Sequence, residues 1–328
     1  MKDQAGTRLF LGVDGGQSST TALVGDEHSR VLGMGRAGPC NHLRAYEGPE
    51  KFVRALSGSV EAALRDAGAS APTAEVRFQA ACFGFSGGPS DKDTLTRQIV
   101  RAEKYHMTHD AEIALAGATG GEPGVIVIAG TGSIAFGRNL AGRTARAGGW
   151  GFIFGDEGGA FDLVRQALRA ALRHEEGWGP KTILREALLQ AAGDAAVSSV
   201  NDLLHRFYTV EYPRDRVAAL AKLVDAAAGD GDAVARDIMT AAAQTLALLA
   251  GAVRGQLFEP GEVARVSYAG GVFQSRSLLE RFRMLVELED ANRFGPPAYG
   301  PAVGALLEAY RIGGVTCKLG DIPANMSI

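Results

Sequence analysis

The order of strand-like and helix-like segments limits the folds that this chain can adopt. Short apolar segments rich in β-branched residues come first, helical patterns follow, and the same succession then occurs a second time. The first round covers about residues 8–110 and the second about residues 124–300. Because strands followed by helices pack as layers around a sheet, this order predicts two α/β lobes with a cleft between them.

The individual segments predict the following elements. Strands are expected in RLFLGVD, TTALVG, RVLGMG, VRFQAACFG, GVIVIAG, SIAFGRN and ARVSYAGGV. Helices are expected at about residues 50–67, 91–103, 158–174, 181–192, 197–209, 215–228, 231–256 and 276–288, with a last helix after GPPAYGP. We expect a first domain over residues 1–110, with a C-terminal helix at 301–322 packing back on it. The second domain is expected over residues 111–300, with helical insertions.

Composition excludes several classes of function. The 328 residues carry a net charge of −3, and their 34 basic residues form no stripe, which argues against a nucleic-acid partner. Cys40, Cys82 and Cys317 lie far apart, a pattern typical of reduced cytoplasmic thiols and not of disulfides or a zinc site. No run reaches the ~18 apolar residues of a membrane span, so we expect a cytoplasmic protein without a membrane partner.

Three glycine-rich turns each follow an apolar strand: VDGGQSS at 13–19, AGTGS at 129–133 and AGGVFQS at 269–275. Glycine lets a backbone approach a ligand closely, and exposed N–H groups and hydroxyls donate hydrogen bonds to phosphate. Hairpins use glycine for purely structural reasons too, so each turn alone leaves both interpretations open.

Asp14, in the first of these turns, favours the phosphate-binding interpretation. A carboxylate repels phosphate unless a cation lies between them, and Mg²⁺ carried by a nucleotide meets that need. Other phosphate motifs are missing or lack their context. There is no Walker A loop, and the glycines of Gly33-x-Gly35-x-x-Gly38 precede Pro39 instead of a helix start, unlike a dinucleotide-binding fingerprint.

Four motifs together resemble a known superfamily. GVDGGQSST, IAGTGSIAFG, GGWGFIFGDEGGAF and AGGVFQS occur in this order within residues 9–311, as in the actin/hexokinase/Hsp70-type ATPases, and more closely the N-acetylglucosamine kinase branch of the BadF/BadG/BcrA/BcrD ATPases. The resemblance implies an α/β fold of two ribonuclease-H-like lobes around an ATP/sugar cleft. It also implies ATP, Mg²⁺ and transfer of the γ-phosphate to a hydroxyl, expected to be O6, of N-acetylglucosamine, glucosamine or a related amino sugar. A homodimer is compatible with it.

The resemblance also assigns roles to residues on the nucleotide side. Asp14 would face the metal, directly or through water. The implied ATP and phosphate contacts are Asp14, Gly15, Gly16, Gln17, Ser18, Gly130, Thr131, Gly132, Gly270, Gly271 and Ser275. Gln17 stands where several relatives have another glycine.

On the sugar side, the resemblance makes Asp110 the base that activates the acceptor hydroxyl. Aspartate is also a good helix N-cap, and the two roles are compatible. The implied substrate contacts are Asn41, Ser86, Asp110, Ser133, Ile134, Gly149, Trp150, Gly151 and Asp156. Ile134 stands where animal relatives carry a polar residue. We interpret His106 and His109, which flank Asp110 in sequence, as surface or core histidines and not as metal ligands.

Two other functions stay open at this point. One is the ATP-driven electron-transfer activator of 2-hydroxyacyl-CoA dehydratases or benzoyl-CoA reductases, which shares the family name and needs cysteines for an iron–sulfur cluster. The other is a sugar-sensing module without catalysis.

Overall fold

The structure is a computed structural model, and its described residues are 8–40, 48–69, 72–192, 199–209, 213–316, 319–320 and 322. The chain divides into two compact units. The first comprises Met1–Gly124 and Pro296–Ile328, and the second comprises Val125–Gly295.

The first unit is built on a mixed sheet. Its strands are β1 (Leu9–Gly15), β2 (Thr20–Asp26), β3 (Val31–Ala37), β4 (Arg77–Phe85) and β5 (Arg101–His109). Their order across the sheet is β3-β2-β1-β4-β5. The β1–β2 and β2–β3 pairs are antiparallel, whereas β1–β4 and β4–β5 are parallel. The carboxyl ends of β1, β4 and β5 therefore meet at one edge of the sheet.

Helices α1 (Gly48–Asp66), α2 (Asp93–Ile99) and α3 (Asp110–Thr119) follow the strands of this unit. α1 packs on β2 and β3. A Cβ added to Gly33 or Gly35 would collide with backbone carbonyls of α1. These two glycines of the Gly33-x-Gly35-x-x-Gly38 motif therefore allow a helix to pack closely on a strand.

The second unit also contains a sheet, in the order β10-β9-β6-β7-β8. Its strands are β6 (Gly124–Ala129), β7 (Ser133–Arg138), β8 (Thr144–Gly148), β9 (Ala264–Ala269) and β10 (Asn292–Phe294). Its helices are α4 (Gly151–Phe154), α5 (Ala160–Glu175), α6 (Leu184–Ala192), α7 (Val200–Phe207), α8 (Arg214–Ala219), α9 (Ala221–Gly229), α10 (Ala233–Leu257) and α11 (Arg276–Val286).

α10 is the longest apolar helix in the described ranges, and by length and composition alone it could cross a membrane. In the structure it contacts α9, α11 and β7. Its side chains Leu246 and Val253 are fully buried in the core of the second unit. One face of α10 therefore belongs to the core of the second unit.

The last helix, α12 (Pro301–Gly313), returns to the first unit and packs against β1 and α3. A Cβ on Gly304 would collide with the carbonyl oxygen of Ile113, so the α3 and α12 backbones touch. The Tyr310 hydroxyl donates a hydrogen bond to the Asp26 carbonyl oxygen at 2.7 Å. α12 thus completes the core on one face of the first sheet.

Four features differ clearly from the sequence-based bounds. The last helix, expected at 301–322, ends at Gly313, where Gly314 adopts a left-handed conformation as its C-cap. The helix expected at 91–103 ends at Ile99, and Arg101 begins the edge strand β5, whose charged residues face solvent and hide the strand pattern. The helix expected at 215–228 is interrupted at Leu220. The division of the chain falls after Gly124, not after residue 110, because α3 packs on α12.

Candidate active site

Two carboxylates lie at the carboxyl ends of the parallel strands in the first unit. Asp14 is the penultimate residue of β1, and Asp110 follows directly after β5 as the first residue of α3. Ser86, the residue after β4, bonds to the ends of both neighbouring strands. Its hydroxyl donates to Asp110 Oδ2 at 2.7 Å, and its amide donates to the Gly15 carbonyl at 3.0 Å. One serine therefore joins the first glycine turn to the predicted base.

Asp110 is fixed from a second side by the backbone of its own helix. Its Oδ1 accepts a hydrogen bond from the Ala111 amide at 2.9 Å. The N-cap position of α3 is occupied by His109, not by Asp110. Asp110 thus holds its carboxylate in place at the helix start without being the N-cap residue.

The first turn of α3 is also anchored by a polar network. His106 Nε2 lies 2.9 Å from Glu112 Oε1, and the Thr108 hydroxyl donates to the same carboxylate. Glu308, buried in α12, completes a group whose nitrogen and oxygen atoms lie within 4.8 Å of one another. His106 therefore contacts Glu112, while His109 is exposed.

Burial and the nearby negative charge of Asp110 raise the pKa of Asp14 to about 7. No salt bridge neutralises Asp14 within the part of the chain that the structure describes. Two neighbouring carboxylates supply the oxygen ligands that a hard divalent cation prefers. The cation would also remove the repulsion between them. The donor set at this edge therefore fits Mg²⁺.

The first glycine turn leaves its tip accessible. The Gly16 amide donates to the Ser19 carbonyl at 2.9 Å, while Gln17 and Ser18 are exposed. On its inner side the turn packs closely: a Cβ on Gly15 would lie 2.6 Å from the buried Cys40 sulfur. Only glycine fits at that position, and the exposed tip can contact a ligand.

The second and third glycine turns lie against each other in the second unit. A Cβ on Gly270, whose φ is 102°, would collide with the Ala129 carbonyl oxygen. The carbonyls of Gly130 and Thr131 accept hydrogen bonds from the first amides of α5, Ala160 and Phe161, at 2.8 and 3.1 Å. The turns that the sequence singled out are thus neighbours in space.

Both turns line a cavity of about 610 Å³, a size ordinary for small-molecule sites. Gly130, Thr131, Gly271 and Ser275 are the predicted nucleotide contacts on its wall. The rest of the lining comes mainly from α5, α8 and α9 and includes Asp215, Lys222 and Asp225, while α10 adds Met239. Sequence reasoning missed these residues, because they lie in ordinary helical patterns without a motif.

The predicted sugar contacts of the second unit also come together. The Gly149 amide donates to the Ser133 carbonyl at 2.9 Å, and a Cβ on Gly149 would lie 2.7 Å from Ile134 Cδ1. Trp150 is 64% exposed, so it is no core residue, and its ring stacks on the Arg146 guanidinium at 4.5 Å. Gly151, with φ of 80°, begins α4 directly after it.

Asp156 is buried beneath the second glycine turn. Its Oδ1 accepts a hydrogen bond from the Ser133 amide at 3.4 Å, and its Oδ2 pairs with Arg214 of α8. A Cβ on Gly132 would collide with this carboxylate. Arg214, which the sequence did not reveal, therefore neutralises Asp156. Asn41, the remaining predicted sugar contact, lies outside the described residues.

The sequence profile of the BadF/BadG/BcrA/BcrD ATPase family matches residues 11–309, which is most of the chain. The chain belongs to this family. The predicted glycine turns, Asp14 and Asp110 lie inside the matched region.

Two curated relatives are similar to this chain over most of their length. An N-acetylmuramic acid/N-acetylglucosamine kinase of Clostridium acetobutylicum is 34% identical over 287 residues, which cover 86% of this chain and 91% of that protein. An N-acetyl-D-glucosamine kinase of Dictyostelium discoideum is 28% identical, covering 83% of this chain and 87% of that protein.

Solved structures support the same fold. A candidate N-acetylglucosamine kinase from Chromobacterium violaceum superposes with a TM-score of 0.71 at 27% identity, covering 92% of this chain and 98% of the other. A ROK family glucokinase from Streptomyces griseus, solved with glucose and AMPPNP, gives a TM-score of 0.52 at 18% identity and coverages of 92% and 98%. The α/β architecture is therefore that of the actin/hexokinase-type ATPases.

Proposed function

We propose that this chain is an ATP-dependent kinase that transfers the γ-phosphate of ATP to O6 of N-acetylglucosamine or a closely related amino sugar. The observation that carries the proposal is Asp110, held by Ser86 beside the first glycine turn, in a chain 34% identical to a kinase of such sugars. That relative acts on N-acetylmuramic acid as well, so its sugar belongs among the substrates to test.

In the proposed reaction Asp110 accepts the proton of the sugar hydroxyl. The hydroxyl oxygen forms a bond to the γ-phosphorus, the bond from that phosphorus to the bridging oxygen breaks, and ADP leaves. A sugar hydroxyl is a weak nucleophile, and a positioned carboxylate typically contributes ~10²–10⁴-fold to such a step. The hydrogen bonds from Ser86 and Ala111 keep both oxygens of Asp110 in a fixed orientation before substrate binds.

Asp14 would hold Mg²⁺, directly or through a water molecule. A divalent ion bound with the nucleotide supplies charge neutralisation for the phosphate oxygens. The pKa of about 7 that burial and Asp110 give to Asp14 supports this role, because a cation would relieve the repulsion between the two carboxylates. The exposed tip of the first turn, Gln17 and Ser18, would contact phosphate.

The nucleotide would occupy the cavity of the second unit, with phosphates at the Gly130–Gly132 turn and adenosine toward Gly271 and Ser275.

Sugar contacts are proposed for Asn41, Ser86, Ser133, Ile134, Gly149, Trp150, Gly151 and Asp156. Because Arg214 already neutralises Asp156, we propose this carboxylate as a hydrogen-bond acceptor for the sugar and not as a base. The proposal puts the enzyme in the cytoplasm, where ATP is available.

The electron-transfer activator is less well supported. An iron–sulfur cluster shared between subunits needs cysteine thiolates that the partner subunit can reach. Cys40 and Cys82, the two cysteines within the described ranges, are both fully buried. Cys317 lies outside those ranges.

The test is ADP release from ATP and Mg²⁺ in the presence of N-acetylglucosamine, N-acetylmuramic acid, glucosamine or glucose. We expect sugar-dependent ADP release with at least one amino sugar, and phosphorus–proton NMR of the product should place the phosphate on O6. Asp110→Asn should lose most of this release, and its matched control is Asp93→Asn, which removes a half-exposed carboxylate paired with Arg97 in the same unit. ADP release that no sugar stimulates would contradict the proposal.

A further inference from the structure

The nucleotide cavity contains a carboxylate that neither the sequence motifs nor the proposed function uses. Asp225 of α9 lines the cavity together with the Gly130 and Gly271 turns. The Ser275 hydroxyl donates to Asp225 Oδ1 at 2.5 Å, and the same hydroxyl accepts the Leu278 amide at 3.3 Å as the N-cap of α11. Ser275 is buried, so it holds the carboxylate of Asp225 in a fixed position on the wall.

Charge decides which part of a nucleotide can meet Asp225. Phosphate oxygens are repelled by a carboxylate, which accepts hydrogen bonds and donates none when ionised. The remaining donors of adenosine are the ribose hydroxyls and the exocyclic amine of the base. Since the proposed Mg²⁺ is held at Asp14 and not at Asp225, the partner of Asp225 in the nucleotide is one of these two groups.

Position along the cavity favours the ribose. Gly270 touches the backbone of the Gly130 turn, and the single helical turn Gly271–Gln274 leads from there to Ser275. At ~2.0 Å rise per residue, that turn spans about 8 Å. This distance from the proposed phosphate site to Ser275 is shorter than a whole nucleotide. Ribose is the part joined directly to the phosphates, whereas the apolar side chains Leu163, Met239 and Val272 offer the base a surface to pack on.

We propose that Asp225 accepts a hydrogen bond from a ribose hydroxyl and thereby makes the protein bind adenine nucleotides more tightly than analogues that lack this hydroxyl. Ser275 is then a positioning residue that acts through Asp225 and not a direct adenosine contact. This inference rests on the proposed use of ATP, but not on the identity of the sugar.

The experiment is calorimetric titration of the full chain with ADP, 2′-deoxyADP, 3′-deoxyADP and IDP, which lacks the amine of adenine. Wild type should bind ADP about tenfold more tightly than at least one deoxy analogue, as expected for a hydrogen bond to a charged group. Asp225→Ala should bind ADP and that analogue equally, with the ratio of ADP to IDP unchanged. Asp230→Ala, which removes an exposed charge at the end of the same helix, should behave as wild type.

Three results would overturn the inference. One is a wild type that does not discriminate between ADP and either deoxy analogue. The second is an Asp225→Ala protein that loses discrimination against IDP instead, since the carboxylate would then bind the base. The third is a wild type that binds no ADP, which overturns the proposed function as well. If wild type shows the ribose preference but phosphorylates no sugar, only the proposed function fails. Asp225→Asn, which keeps the shape of the side chain, serves if the alanine variant does not fold, and its discrimination should also decrease.

Discussion

Two aspartates beside glycine turns, one in each unit, have opposite electrostatic surroundings. Asp156, beneath the second turn, pairs with Arg214 and accepts the Ser133 amide. Asp14, at the first turn, lies near another carboxylate, that of Asp110. Within the described residues, no salt bridge to Asp14 occurs. Arg214 already neutralises the charge of Asp156, whereas Asp14 is held in an arrangement that a bound cation would relieve. Carboxylates left uncompensated in this way are good candidates for function.

The largest expected effect tests the catalytic side of this comparison. Asp110→Asn should lower kcat by ~10²–10⁴-fold, because the amide no longer accepts the hydroxyl proton. ATP affinity should remain nearly unchanged, since the residue is not proposed to contact the nucleotide. Steady-state kinetics and nucleotide titration measure the two quantities. An Asp110→Asn protein with near wild-type kcat would show that the residue is merely structural, because asparagine can make similar hydrogen bonds.

Asp14→Asn should reduce magnesium-dependent turnover and, without ligands, stabilise the protein at neutral pH. The folded pKa of about 7 exceeds the ordinary value of 3.8, so between these pH values the folded state binds more protons than the unfolded state. Wild-type stability therefore falls as pH rises through this window, by up to about 4 kcal/mol. Asparagine never carries this charge and avoids the loss.

Thermal unfolding of the two proteins at pH 5 and pH 8 checks this prediction. The variant should unfold at a higher temperature than wild type at pH 8, with a smaller difference at pH 5. A wild type that is the more stable of the two at pH 8 would contradict the electrostatic argument.

Arg214→Met should have a different effect, a loss of stability. The substitution leaves the carboxylate of Asp156 buried without its cation. Because the Arg214 side chain is one-third exposed, we expect a cost of about 2 kcal/mol, below the usual range for fully buried pairs. Urea unfolding measures it, and the double variant Arg214→Met/Asp156→Asn should recover part of the loss. If the double variant is no more stable than the single one, the ion pair is not what holds Asp156.

Ser86→Ala should have the smallest effect. It removes one hydrogen bond to Asp110 but keeps the Ser86 amide that donates to Gly15. A hydrogen bond to a charged group contributes about 1.5 kcal/mol, so kcat should fall about tenfold. Ser90→Ala in the same loop is the control and should leave kcat unchanged. A fall in sugar affinity with unchanged kcat would mean that Ser86 acts only as the proposed sugar contact and does not position Asp110.

Local patterns explain what the sequence could predict. The glycine turns and Asp14 follow apolar strands directly, so their composition and position are read within about ten residues. The pairing of Asp156 with Arg214 and that of Asp225 with Ser275 join residues more than forty positions apart. No periodicity encodes such contacts, because they depend on how helices pack. β5 was missed for another reason, since its exposed charged residues obscure the alternation of a strand.

The return of α12 to the first unit has a consequence for synthesis. The second unit is one uninterrupted segment, Val125–Gly295, whereas the first lacks a layer of its core until Pro301–Gly313 has been made. Phe10 rests against Tyr310, with ring centroids 4.5 Å apart, and cannot find that partner while the chain is still growing. Domains usually fold as units in the order of their synthesis. Here the unit made first has to wait, and the ribosome releases its last helix after the second unit is already complete.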